Sequence, residues 1–275
     1  MSLDVLAWNV KDSFSDEARA AVVMDLIEAE QPDVAVFSEA YDESRDHLMS
    51  ATQILFADKG YTTAYGSYDD DDGRKDRHGL LTIACQELEP LTKIVNLAGR
   101  SAMKLSVLDP ISELLIDLYG VHLDDRSEQN RLVQAESLLE LVDQETPAVI
   151  AGDLNNMHRQ DRRALELRGL GLVSRLLPKP EHTTAGQKGF SLARMGGITG
   201  RLSAMASGIT LKLLESADFV DADPSHAATW GARIPLAQLD HVMVRDLGVV
   251  DFQVLPYYPV SDHRPIVAKL QTITS

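Results

Sequence analysis

Ala148-Val149-Ile150-Ala151-Gly152-Asp153-Leu154-Asn155 is an apolar run that breaks at once into a glycine, a carboxylate and an amide. A short apolar run closed by a turn signal reads as a buried strand. The polar residues then sit at its end, and strand ends in α/β proteins are where sites gather. The same grammar recurs on both sides. Leu3 to Trp8 ends in Asn9, Asp33 to Ser38 delivers Glu39, and Leu114 to Val121 ends in His122. Near the C-terminus, Asp240 starts the Leu239 to Val244 strand, and Asp262-His263 precedes the Pro265 to Leu270 strand.

Helices lie between these strands. Ser15-Asp16-Glu17 supplies an N-cap and an acidic first turn. Val22/Leu26 and Val23/Ile27 then repeat at i,i+4 up to Glu30, and Pro32 stops the helix. Ser127 to Val142 is a second clear helix, and another is expected around 43–58. Tyr68 to Arg77 reads as a polar loop, with Leu80 to Ala84 and Lys93 to Leu97 as the two strands of a hairpin. The spacing is irregular, which favours a mixed α/β arrangement over a regular parallel one. No repeat and no Pro/Gly/Ser linker divides the chain, so a single domain over 1–275 is expected.

The 275 residues carry 26 basic and 42 acidic side chains, a net charge of −16. Residues 1–150 hold 12 basic against 30 acidic residues, while 151–275 hold 14 against 12. Such a charge repels polyanions at long range. It argues against a nonspecific DNA coat, whose affinity rests on phosphate neutralisation. The basic residues cluster from Arg168 to Lys212, seven against the single acid Glu181, and include Arg194 and Arg201. A basic helical insertion at about 186–214 is therefore a candidate substrate guide. Within it Leu202, Met205/Ala206, Ile209 and Leu213 form a helical apolar stripe.

The lone Cys85 excludes a disulfide framework and a multi-cysteine zinc site. No run approaches the roughly 20 apolar residues that span a bilayer, so no stable membrane association is expected. No secretory signal is visible, which makes a cytoplasmic location the default. Nothing in the sequence indicates a protein partner.

The polar strand ends offer carboxylates, imidazoles and amides but no thiolate. Such a donor set favours Mg²⁺ or Mn²⁺ over zinc. With histidines for proton transfer, it suits attack of water on a phosphate ester. Competing motifs fail. Aligning Gly73 as the sixth residue of a calcium loop puts Tyr68 and Gly79 where carboxylates are required. Gly186-Gln187-Lys188-Gly189 lacks P-loop spacing. Ser261, Asp262 and His263 cannot form a triad, because neighbours in extended chain point to opposite faces. Ser261 instead suits local backbone hydrogen bonding. His241, His78, Arg77 and Tyr41 are weaker substrate-contact candidates, for which structural readings are simpler.

Trp8-Asn9, Ser38-Glu39, Val121-His122-Leu123, Gly152-Asp153-Leu154-Asn155, Leu239-Asp240-His241 and Ser261-Asp262-His263 occur in this order. Together they resemble the motifs of the endonuclease/exonuclease/phosphatase superfamily, the DNase I-like hydrolases. Asn130 to Gln134 and Thr229-Trp230 resemble further family patterns. The resemblance implies an α/β (α+β) four-layer sandwich: two mixed β-sheets packed face to face and flanked by helices. It implies that Glu39 is the main metal carboxylate, that Asn9 holds phosphate or a metal water, and that Asp262 lies near the metal. Asp153 would orient or deprotonate water, Asn155 would bind a phosphate oxygen, and Asp240 would fix the tautomer of His263. His263 would act as base or phosphate-binding cation, and His122 would stabilise the transition state or protonate the leaving oxygen. Lys11 stands where abasic-site endonucleases carry Asp, and His122 where they commonly carry Tyr. Both differences lean toward the nuclease, inositol-phosphate phosphatase, sphingomyelinase and deadenylase-like branches. The expected substrate is thus a nucleic acid or a small phosphate ester.

Overall fold

A computed structural model describes residues 2–40, 52–66, 79–109, 111–158, 205, 208–231 and 235–273. Two six-stranded sheets form its frame. The first contains β1 (Ser2–Asn9), β2 (Val34–Ser38), β3 (Tyr61–Gly66), β4 (Leu80–Cys85), β11 (Leu247–Val254) and β12 (Ile266–Thr272), in the order β11-β12-β1-β2-β4-β3. The second contains β5 (Leu91–Leu97), β6 (Arg100–Leu108), β7 (Leu115–His122), β8 (Ala148–Asp153), β9 (Val220–Asp221) and β10 (Asp240–Arg245), in the order β5-β6-β7-β8-β10-β9. Each sheet is mixed: β1 runs parallel to β2, β7 runs parallel to β8, and the other pairings are antiparallel.

Period-two alternation sorts the side chains into layers. Leu3, Val5 and Ala7 of β1 and Val34 and Val36 of β2 face Leu118, Val149, Ala151, Val242 and Val244 of the second sheet in one buried core. The alternate residues of the first sheet, Leu6, Trp8, Ala35 and Phe37, face Val23, Leu26 and Ile27 of α1 (Glu17–Glu30). On the far side, Tyr119, Ile150 and Met243 pack against Ala135 and Leu138 of α2 (Glu128–Leu141) and Leu211 and Leu214 of α3 (Ile209–Glu215). These are the helix, sheet, sheet and helix layers that the family resemblance implies. At about 25 cal/mol per Å² of apolar surface buried, all three layers of packing contribute to stability.

The helix ends follow the sequence signals. Asp16 caps α1 by accepting from Arg19 N at 2.9 Å, and Ser127 caps α2 by accepting from Asn130 N at 3.3 Å. Gln31 closes α1 in the left-handed conformation just before Pro32. Gly120 sits where the sheets approach each other, since a Cβ there would lie 2.9 Å from Thr82 Oγ1 and 3.2 Å from Val36.

Two expectations are corrected. Leu80 to Ala84 and Lys93 to Leu97 do not pair: β4 lies between β2 and β3 in the first sheet, and β5 pairs with β6 in the second. A polar link at Gln86–Leu88 looks like a hairpin turn, but here it carries the chain from one sheet to the other. The apolar stripe is also rotated. In α3 the buried positions are Thr210, Leu211 and Leu214, whereas Ile209 is about half exposed. Burial follows contact with α2 and the sheet rather than the longest run of apolar spacing. Most of the basic 186–214 insertion, including Arg194 and Arg201, lies outside the described residues, as do Tyr41, Arg77, His78 and the acidic Tyr68–Arg77 loop. No helix among the described residues is long and apolar enough to cross a membrane.

Candidate active site

Strand parity brings the site together before any side chain is considered. Asn9 shares its face with Ala7, His122 with Leu118, Asp153 with Ala151, and Asp240 with Val242. All four therefore face the gap between the sheets. The registers Asn9↔Ser38, His122↔Asp153 and Asp240↔Asp153 set them at the same end of their sheets.

Asp153 is the hub. Its Oδ2 accepts from Asn9 Nδ2 at 3.0 Å and lies 3.8 Å from His122 Nε2 and 3.9 Å from His263 Nε2. Its Oδ1 accepts from Asn155 N at 2.9 Å. Asn9 Nδ2 also donates to Glu39 Oε1 at 3.0 Å, so one amide spans two carboxylates. His263 Nδ1 lies 2.7 Å from Asp240 Oδ2, and the same oxygen accepts from Thr229 Oγ1 at 2.6 Å. Asn155 donates from Nδ2 to Leu123 O at 2.9 Å.

The backbone around the hub is strained in a consistent way. Lys11, Asp12, Glu39 and Asn155 all have positive φ, so β1, β2 and β8 each turn sharply once past the gap. Non-glycine residues in that region are uncommon and cluster at functional sites. Gly152 has φ +134°, and a Cβ on it would lie 2.0 Å from Val121 O, so only glycine lets β8 lie against β7 just before Asp153.

Burial sets the protonation states. It raises the Asp153 carboxyl well above the ordinary carboxylate range; Asp240 adds to this, and His263 opposes it. For His263 burial alone would depress the imidazole. The facing carboxylates of Asp240 and Asp153 outweigh it and hold the ring protonated up to about 10. Asp262 is different. Its carboxyl is lowered by His263 and Lys11 against the effect of burial, and it pairs with Lys11 Nζ at 3.2 Å on the rim.

The remaining polar groups act as supports. Trp8 Nε1 donates to His263 O at 3.1 Å, Ser261 Oγ donates to Asn9 O at 2.6 Å, and Ser261 Oγ accepts from His263 N at 3.0 Å. Ser261 is thus a backbone tie, as its position predicts. Arg100 Nη1 donates to His122 O and Leu123 O at 3.1 and 2.9 Å, fixing the end of β7. Thr229 accepts from Leu239 N and Asp240 N as well as bonding the Asp240 carboxylate. The sequence contains no signal for the part played by Arg100. Thr229 stands out there only through the family pattern. His241 points to the opposite face of β10 and is fully buried away from the site.

The chain matches the family model described as "Endonuclease/Exonuclease/phosphatase family" over residues 6–263. The chain belongs to the endonuclease/exonuclease/phosphatase family. Solved structures agree on the fold. An endonuclease/exonuclease/phosphatase from Beutenbergia cavernae is 20% identical with a TM-score of 0.66, over 98% of this chain and 72% of that one. The human Nocturnin catalytic domain is 18% identical with a TM-score of 0.59, over 98% and 93% of the two chains. An AP endonuclease from Archaeoglobus fulgidus is 16% identical with a TM-score of 0.62, over 97% and 98%. No curated protein matches the chain in sequence.

The donor chemistry of the site suits a hard divalent cation. Glu39 and Asp153 present oxygens to one shared amide nitrogen, Asp240 Oδ1 is buried with no hydrogen-bond partner among the described residues, and no thiolate is near. Oxygen donors of this kind are the ones hard divalent cations take.

Proposed function

We propose that this member of the family is a Mg²⁺- or Mn²⁺-dependent phosphodiesterase that cleaves nucleic acid. The observation that carries this reading is the convergence of Asn9, His122 and His263 on a single oxygen of buried Asp153. A proton acceptor, two imidazoles and amide donors around one small volume match the demands of water attack on phosphorus.

Glu39 would hold the ion, with Asn9 orienting its carboxylate. When bound, the ion supplies positive charge to the phosphorus centre and orients substrate. Asp153, raised by burial toward neutrality, takes a proton from the attacking water. His263, kept protonated and turned by Asp240, presents Nε2–H to a phosphate oxygen. One Asn155 amide hydrogen is committed to Leu123 O, and the other meets a second phosphate oxygen. His122 faces the developing charge and protonates the leaving oxygen. Asp262, paired with Lys11, would be available to help hold the ion only once that pair opens. Arg194, Arg201 and Lys212 would guide a polymer backbone past the acidic surface.

A second reading is a phosphomonoesterase or phospholipase C-like activity on inositol or lipid phosphates. The net charge of −16 favours it, because a small anion meets less long-range repulsion than a polymer. A lipid substrate is the weaker form, since aromatic residues are only 5% of the chain and Tyr257-Tyr258 is their sole adjacent pair. The deciding experiment is a metal-dependent activity screen over bis(p-nitrophenyl) phosphate, single- and double-stranded DNA, RNA, inositol phosphates and sphingomyelin. Diester or nucleic-acid cleavage that EDTA stops is expected. Hydrolysis that survives thorough chelation would overturn the metal-dependent mechanism.

A further inference from the structure

The Asn130 to Gln134 stretch of α2, which resembles a family pattern, takes no part in the chemistry proposed above, yet it carries a fully buried arginine. Arg131 Nε and Nη2 donate to Glu128 Oε2 at 2.9 and 2.7 Å, one turn earlier on the helix. Its Nη1 donates to Asp124 O at 2.6 Å, in the turn that follows His122. Gln134 Oε1 accepts from Asp124 N at 2.9 Å, so the same helix grips that turn twice. Glu128 reaches two further segments. Its Oε2 also accepts from Asn156 Nδ2 at 3.0 Å, and its Oε1 accepts from Thr210 N and Thr210 Oγ1, both at 3.1 Å. Parting Glu128 from Arg131 would strand a charge away from water, so the pair holds its neighbours in place.

These bonds close into a ring that passes through the active site. From Glu128 the ring runs by Arg131 to Asp124 O, and along the backbone to Leu123. Leu123 O accepts from Asn155 Nδ2 at 2.9 Å, and Asn156, the next residue, returns to Glu128. Arg131, Asn155 and Asn156 are all buried. Asn156 is also held from two other sides: its Oδ1 accepts from Leu211 N at 3.4 Å, and its carbonyl oxygen accepts from His241 Nε2 at 2.8 Å. Asn155 has φ +48°, a conformation that a non-glycine residue keeps only where its surroundings impose it.

We infer that Glu128 and Asn156 are positioning residues for the phosphate-ester reaction: they fix the Asn155 amide so that its second hydrogen points at a phosphate oxygen. The inference rests on the reading of Asn155 as a phosphate-binding group. The direction of that hydrogen depends on where Leu123 O and the Asn155 main chain stand. The ring sets both. Arg131 places the Leu123 side through Asp124, and Asn156 places the Asn155 side. Both positioning residues act through Asn155, by alignment, and rates respond steeply to alignment: a misplacement of about 1 Å costs on the order of 10²-fold.

The test is a double-mutant cycle on the full chain, assayed with bis(p-nitrophenyl) phosphate and Mg²⁺. The variants are Asn155→Ala, Asn156→Ala and the two combined, with Thr210→Val as a control that disturbs the same cluster but leaves the ring closed. Asn156→Ala should lower kcat by about 10-fold or more, with KM moving much less. The double variant should be no slower than Asn155→Ala alone. Thr210→Val should lower the melting temperature and keep kcat close to wild type. Glu128→Gln, which keeps the shape of the side chain but loosens its hold on Arg131, should follow Asn156→Ala. Effects of the two asparagine variants that multiply, or full kcat in folded Asn156→Ala, would overturn the positioning role. Wild-type turnover in Asn155→Ala would instead overturn the phosphate-binding role of Asn155, and the inference with it. A further readout needs neither a variant nor activity. Nitrogen-15 relaxation of the Asn155 side-chain amide in wild type should show an order near the ~0.85 of rigid backbone. A mobile amide would overturn the inference.

Discussion

Asp240 and His241 are neighbours on one strand, and each belongs to an imidazole–carboxylate pair of the same length. His263 meets Asp240 at 2.7 Å in the gap between the sheets, and His241 meets Asp221 at 2.7 Å on the outer face. The far nitrogen separates them. On His263 it looks across 3.9 Å at Asp153, with room for a substrate atom; on His241 it is capped by Asn156 O at 2.8 Å. An imidazole–carboxylate contact is therefore not itself a catalytic signature. What decides is whether the second nitrogen is left open to chemistry or closed by a backbone carbonyl.

The largest expected effect comes from the open pair. His263→Ala or Asp153→Ala should lower turnover by on the order of 10² or more with little change in melting temperature. Steady-state assays with Mg²⁺ read this directly, and unchanged turnover would remove the distinction between the pairs. Asp240→Asn should also reduce kcat strongly, because an amide no longer fixes Nδ1 as the donor. KM for a small diester should move much less.

The closed pair should register in stability. His241→Ala removes one of the two imidazoles that face buried Asp221 and leaves His158 at 3.0 Å, so the loss should be large but below the about 3–5 kcal/mol of a fully broken buried pair. Urea denaturation measures this, and a loss below that of an exposed ion pair would mean the outer pair is not a structural tie.

A pH series sharpens the contrast. The folded-state pKa of His263 is raised from 6.5 to about 10. Its stabilising contribution is thus complete below pH 6.5 and lost as pH rises through about 10. The stability gap between wild type and His263→Ala, measured in EDTA, should shrink over that window. Asp221 is depressed by His241 and His158 against the effect of burial, so its contribution is present above about pH 3.8 and fades only as pH falls below it. The smallest expected effect is electrostatic guidance. Neutralising Arg194, Arg201 and Lys212 should weaken polymer cleavage more than cleavage of bis(p-nitrophenyl) phosphate, and equal effects would remove the guiding role.

Much of this architecture is written in the chain. The apolar runs before Asn9, Glu39, His122 and Asp153 form strands where expected, and both long helices start at their capping residues. Weak strands were less legible. β3, β6 and β11 alternate polar and apolar residues with no distinctive boundary, so partners elsewhere in the chain decide their pairing. The same holds for the false hairpin: Gln86–Leu88 is a turn by local chemistry, yet its flanking strands join different sheets.

Read alone, the sequence determined which residues stand at strand ends and which face of each strand they take, because period-two alternation is a local property of the backbone. Tertiary structure alone decided that those ends meet, since strand order and register depend on contacts more than a hundred residues apart, as between Asn9 and Asp153. It also decided that Asp240 opens onto the site while His241 joins His158 and Asp221. Neighbouring strand residues must face opposite ways, but what awaits them on each side is set by the packing of distant chain.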